Sequence, residues 1–166
     1  MKKTEEEELC RKIKTWIVIF IALLILSGVT AFPLEWELSL LVKSSIFSSN
    51  EILHEWIQKT YQAIKESNTL YPFLSYGTDW LAFAHIVIAT VFIGPLKDPI
   101  RNIWVIQFGM IACFMLFPLA FICGPIRHIP FYWQLVDCSF GLFGLIPLYI
   151  AYRNTIKLKI LTFKNK

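Results

Sequence analysis

Apolar and polar positions along this chain fall into long blocks. Four apolar stretches run from about Ile13 to Phe32, Trp80 to Leu96, Ile103 to Cys123 and Phe131 to Tyr152. A helix rising about 1.5 Å per residue needs roughly 20 apolar residues to cross ~30 Å of hydrocarbon. Each stretch approaches or exceeds that length. The pattern predicts an all-α polytopic membrane protein, a four-transmembrane-helix bundle forming a single membrane domain over residues 1–166.

Between the first two spans lies the only sizeable polar segment, residues 33–77. Ser48 followed by Glu51 fits a capping box. Leu53, Trp56, Ile57 and Ile64 then recur at helical spacing, with Glu51, Glu55, Lys59, Lys65 and Glu66 mostly on the other side. Asn68 reads as a stop, and Pro72 excludes continuation. The spacing predicts an amphipathic helix from about Ser49 to Glu66. It either lies in the outer interface with Trp56 on its apolar face or caps the bundle as a lid.

Ring-bearing and small residues refine the picture. Trp36, Tyr71, Tyr76, Trp80, Tyr132 and Trp133 gather at one predicted boundary, and Trp16, Trp104, Tyr149 and Tyr152 at the other. Two such belts are expected of amphipathic rings at headgroup level. Lipid tails are as apolar as leucine, so spanning helices associate through small residues that let backbones approach. Ala82, His85 and Ala89 form one stripe; Gly109, Ala112, Cys113, Ala120 and Gly124 a second; Gln134, Asp137, Gly141 and Gly144 a third. Pro118 and Pro147 each deny their helix one backbone donor.

Composition agrees with this reading. Of the 166 residues, 56% are hydrophobic and 16% aromatic, with mean hydropathy +0.56. The formal charge of +4 would suggest nucleic acid in a soluble protein, but twelve of the sixteen basic residues lie on one side of the spans. Lys2, Lys3, Arg11, Lys12 and Lys14 precede the first; Lys97 and Arg101 join the second and third; Arg153, Lys157, Lys159, Lys164 and Lys166 follow the fourth. The positive-inside rule then places both termini in the cytoplasm. No nucleic-acid partner is expected. Val29-Thr30-Ala31 has the small residues of a signal-peptide cleavage site, yet the apolar run is longer than a typical signal core. Retention as an anchor is expected; removal would leave three spans. Cys10, Cys113, Cys123 and Cys138 show no CxxC or Cys/His metal spacing and read as packing residues.

Two ionisable residues fall well inside spans, His85 and Asp137. An Asp costs on the order of 2.5–3.5 kcal/mol at a helix centre, and ionisable residues there usually face a partner. His85 lies about 10 Å along its helix from Thr78, and Asp137 about 9 Å along its own from Phe131. The matched depth predicts a direct or water-bridged contact, with Gln134 one turn above Asp137. Asp79, Arg127 and His128 form a polar rim, with Glu35 and Glu37 after the first span. Asp79 and His85 are six residues apart, roughly 240° around the helix, so Asp79 is expected to pair with Arg127 or to cap its helix.

The candidate ligand-binding set is therefore His85, Asp137, Gln134, Asp79, Arg127 and His128. Three roles stay open: a pocket for a small or lipophilic ligand, a structural or assembly subunit, and an enzyme using a His–Asp acid/base pair. Buried polar pairs between spans also serve as plain structural glue. No nucleophile with its own activating partner accompanies the pair, and no metal motif or cofactor is expected.

Tyr71-Pro72-Phe73-Leu74-Ser75-Tyr76-Gly77-Thr78-Asp79-Trp80, Gly94-Pro95-Leu96-Lys97-Asp98-Pro99 and Cys123-Gly124-Pro125-Ile126-Arg127 resemble an uncharacterised family of small four-span bacterial membrane proteins. The resemblance covers about residues 70 to 152 and implies the bacterial inner membrane but no activity. In layout alone, with no motif in common, the chain is similar to the emopamil-binding family of sterol isomerases and related lipid handlers. The preferred expectation is a ligand-binding membrane protein with an outward-facing polar pocket.

Overall fold

The computed structural model describes residues 2–44 and 50–164. Seven α-helices follow in chain order among the described residues: α1 (Lys2–Ala31), α2 (Leu34–Lys43), α3 (Glu51–Leu70), α4 (Tyr76–Val91), α5 (Ile93–Lys97), α6 (Ile103–Ile126) and α7 (Phe131–Lys164). A 3-10 turn, Pro72–Leu74, precedes α4. Among the described residues, four segments are long and apolar enough to cross a membrane: Thr4–Ala31, Pro72–Lys97, Ile103–Ile126 and Phe131–Lys164. The protein is an all-α, multi-pass membrane protein. Its second span starts earlier than the apolar run suggests, because Tyr76 to Asp79 already form the first turn of α4.

The chain forms two compact units, Met1–Leu24 with Ala89–Lys166, and Ile25–Ile88. In the first, α6 and α7 make an antiparallel hairpin packed along its length. Small residues explain the closeness. A Cβ on Gly141 would lie 2.7 Å from the Cys113 carbonyl oxygen, so the two backbones touch there. Gly144 leaves room for Cys113 Sγ, which would be 2.8 Å from an added Cβ. Ala112 is exposed, whereas Gly109, Cys113, Ala120 and Gly124 are buried. The core of this unit joins Ile13, Ile17 and Phe20 of α1 to Phe92, Ile106 and Leu148. Phe20 and Phe92 meet with ring centroids 4.6 Å apart, and Gly109 makes space for Phe92 and Leu148.

Helix α4 ends where its sequence requires. Pro95 lacks an N–H and its ring crowds the carbonyl four residues back, so the chain breaks at Phe92 and restarts as α5. Asn102 secures the next corner, donating its side-chain amide to Gly94 O at 3.2 Å and Asp98 O at 2.9 Å. Asp98 accepts the Arg101 N–H at 3.0 Å.

In the second unit, α2 packs on α3. The apolar spacing of Leu34, Leu38, Leu41 and Val42 builds one face of α2, with Leu38 buried. Helix α3 starts at Glu51, two residues later than expected, with Asn50 as its N-cap: the Asn50 side chain accepts the Leu53 N–H at 3.2 Å. Ser48, the expected cap, lies outside the described residues. Ile57 is buried and Trp56 half-buried, on the face marked by Leu53 and Ile64. The helix runs through Asn68 to Leu70, so Asn68 is not its stop. Pro72 is the residue that ends it. Gly28 on α1 packs against Ala82 and His85 on α4, where an added Cβ would come 2.7 Å from Ala82 O.

Candidate functional site

Within the second unit, the end of α1, the start of α2, the C-terminal half of α3 and the start of α4 surround a cavity of about 500 Å³. Its polar wall carries Glu35, Asn68, Ser75, Thr78 and Asp79; Phe32, Trp36, Tyr61 and Ile64 supply apolar and aromatic surface. A chain of side-chain hydrogen bonds organises the wall. Ser75 Oγ donates to Asn68 Oδ1, and Asn68 Nδ2 donates to Glu35 Oε2 at 2.6 Å. The amide thus uses both ends, linking the first turn of α2 to the residue before α4. Ser39 Oγ donates to its own helix at Trp36 O, 2.7 Å away.

The sequence explains this convergence. Pro33 interrupts the chain after α1 and serves as the N-cap position of α2, so Glu35 falls in that helix's first turn. A carboxylate there also complements the positive end of the helix dipole. Asn68 continues the buried stripe of α3, fifteen residues beyond Leu53 and seven beyond Tyr61. Asp79, half-buried in the first turn of α4, donates its backbone N–H to Ser75 O at 3.1 Å. The wall holds two carboxylates and no Lys or Arg. It can take hydrogen-bond donors and positive charge.

Of the six residues expected to line a pocket, Asp79 borders this cavity. His85 belongs to the same unit, is half-buried, and donates Nδ1–H to Leu81 O at 2.7 Å. Gln134, Asp137, Arg127 and His128 belong to the other unit. The contact expected between His85 and Asp137 joins residues of different units. Asp137 is exposed on α7, although Gln134, Gly141 and Gly144 of its stripe are buried.

Three of those four residues cluster at the corner between α6 and α7. Arg127 is the C-cap of α6. His128 follows with φ 56°, the left-handed conformation. Its N–H donates to Pro125 O at 3.1 Å and the Ile129 N–H to Gly124 O at 2.9 Å, the bond pair of a Schellman stop with histidine where glycine is usual. Gln134 is buried and donates Nε2–H to Ile129 O at 2.8 Å. This corner is built as a helix stop closed by an amide clip.

Sequence reasoning passed over Asn68, Tyr61 and Ser75, and placed Glu35 only on the rim. The missing signal was the Leu34–Leu38–Leu41–Val42 spacing, which marks α2 and the surface on which α3 packs. Among the described residues, no three His, Cys, Asp or Glu side chains cluster as a metal site. No protein-family model, curated protein or solved structure matches this chain.

Proposed function

We propose that this chain is a bacterial inner-membrane protein, with both termini in the cytoplasm, that binds a small amphiphilic amine in the cavity bordered by Glu35, Asn68 and Asp79. The observation that carries the reading is the composition of the wall: two carboxylates, no cationic side chain, and aromatic rings beside them. A volume of about 500 Å³ fits a small ligand. Carboxylates attract an ammonium group, and Trp36 and Tyr61 add ring faces of the kind that attract cations. Phe32 and Ile64 accept an apolar tail. The Glu35–Asn68–Ser75 chain holds one carboxylate in place before a ligand arrives, which lowers the ordering cost of binding.

The test compares decylamine, decyltrimethylammonium and decanol by microscale thermophoresis on the full chain in maltoside detergent. Both cations are expected to bind at least about tenfold more tightly than the alcohol, the primary ammonium through charge-assisted hydrogen bonds and the quaternary one, which has no N–H, through charge attraction and the Trp36 and Tyr61 ring faces. Glu35→Gln and Asp79→Asn should each erase most of the difference. Equal binding of amine and alcohol would sink the reading.

A second reading rests on Asp137, exposed on a helix long and apolar enough to span a membrane. A lipid-facing carboxylate is costly, so a partner membrane protein covering it would relieve the cost. Under that reading, Asp137→Leu shrinks the native-gel complex extracted from membranes while the purified chain melts no lower. An unchanged complex size rules it out.

A further inference from the structure

A separate groove, of about 870 Å³, opens in the first unit between the N-terminal half of α1, the corner after α5 and the C-terminal part of α7. Arg11 and Lys14 reach it from α1, and Lys97 from the end of α5, while Glu6 and Glu7 line its N-terminal end, a turn or more before Lys14. None of the three basic residues makes an ion pair among the described residues, whereas Asp98 beside them is engaged by Arg101 at 3.4 Å. Arg11 and Lys14 are three residues apart and share a helix face. One turn beyond Lys14, the same wall becomes Val18 and Ile19, which are 51% and 38% exposed. Ile100 and Leu158 continue the apolar side.

From this we infer that the groove holds an anionic phospholipid, with its phosphate between Arg11, Lys14 and Lys97 and an acyl chain along Val18 and Ile19. Two observations converge on that occupant. The basic groups come from two segments more than eighty residues apart in the sequence, so the fold assembles them. The passage from charge to exposed aliphatic surface within one helical turn matches a headgroup joined to a chain, and a soluble phosphate would use only the charged half. Basic pockets between spanning helices are suited to acidic headgroups, each Lys or Arg adding to the attraction. This site is independent of the amine cavity.

The full chain, delipidated in mild detergent, would be titrated with phosphatidylglycerol or phosphatidylcholine of identical chains and read by native mass spectrometry. Retention of phosphatidylglycerol is expected to exceed that of phosphatidylcholine by about tenfold or more. Arg11→Gln with Lys14→Gln should remove most of that preference, and Lys97→Gln, on a separate element, should lower it by about fivefold. The double substitution Lys157→Gln with Lys159→Gln, which removes equal charge outside the groove, should leave it intact. Equal losses in both double variants would reduce the effect to general surface charge and overturn the site. Displacement of the lipid by millimolar inorganic phosphate, or equal binding of a short-chain phosphatidylglycerol, would overturn the lipid assignment in favour of a soluble phosphate. Far-UV circular dichroism of each variant confirms that the helices remain, and Lys97→Gln carries the test if the α1 pair fails to fold.

Discussion

Gln134 occupies the space that a side chain at Gly124 would need: an added Cβ would lie 2.6 Å from Gln134 Cδ, while the same amide donates to Ile129 O at 2.8 Å. The glycine and the glutamine act as one device. The first admits the side chain, and the second ties the corner to α7.

Gly124→Ala is expected to destabilise the α6–α7 hairpin by about 1–3 kcal/mol, since the buried amide must shift. Gln134→Ala should cost a similar amount by leaving Ile129 O without its donor. The double variant should cost less than the two single losses together, because the clash disappears with the side chain that suffers it. Unfolding in mixed micelles measures all three. Strict additivity would show that the two residues do not share a site.

His128 holds a left-handed backbone without the freedom of glycine. His128→Gly should stabilise the chain by up to about 1 kcal/mol, and His128→Val should destabilise it by more. The same unfolding measurement decides. A loss of stability in the glycine variant would mean that the imidazole makes a contact the helix stop does not require.

Asn68→Leu should loosen α2 from α3, because Glu35 Oε2 and Ser75 Oγ both lose their partner. The expected cost is about 1–3 kcal/mol. Faster amide hydrogen exchange should be confined to α2 and the α3 face it covers. Uniformly faster exchange across α6 and α7 would contradict this.

Topology follows from the twelve-to-four distribution of basic residues. Single cysteines replacing Glu66 and Arg101, in a background free of native cysteine, should differ in intact cells: an impermeant maleimide labels the first only. Labelling of the Arg101 position from outside would reverse the assignment.

The spans were readable because a membrane helix satisfies its own backbone and leaves a long apolar signature. The small-residue stripes were readable for a related reason, since close approach tolerates few side chains. Gly109, Cys113, Gly141 and Gly144 lie on the seam as their spacing indicates. Ala112 and Asp137, on the expected stripes, are exposed. Spacing fixes a helix face to within a residue or so, and neighbours decide which edge of it is covered. The cavity bordered by Glu35, Asn68 and Asp79 was largely hidden. Glu35, Asn68 and Ser75 are distant in sequence, and only the packing of α2 on α3 brings them together. Asn68 also carries a residue type that often ends helices, and here it serves within one. His128 misled in the other direction, as a titratable residue whose visible task is backbone geometry.

Helix α7 runs without interruption for 34 residues, about 51 Å at the usual rise, against ~30 Å of hydrocarbon. Its buried face persists to Thr155 and Leu158, beyond the apolar run that ends at Tyr152. The extension is therefore not free: Leu158 shares a core with Ile13 and Ile17 of α1, so the first and last helices of the chain brace each other beside the ends of their apolar stretches.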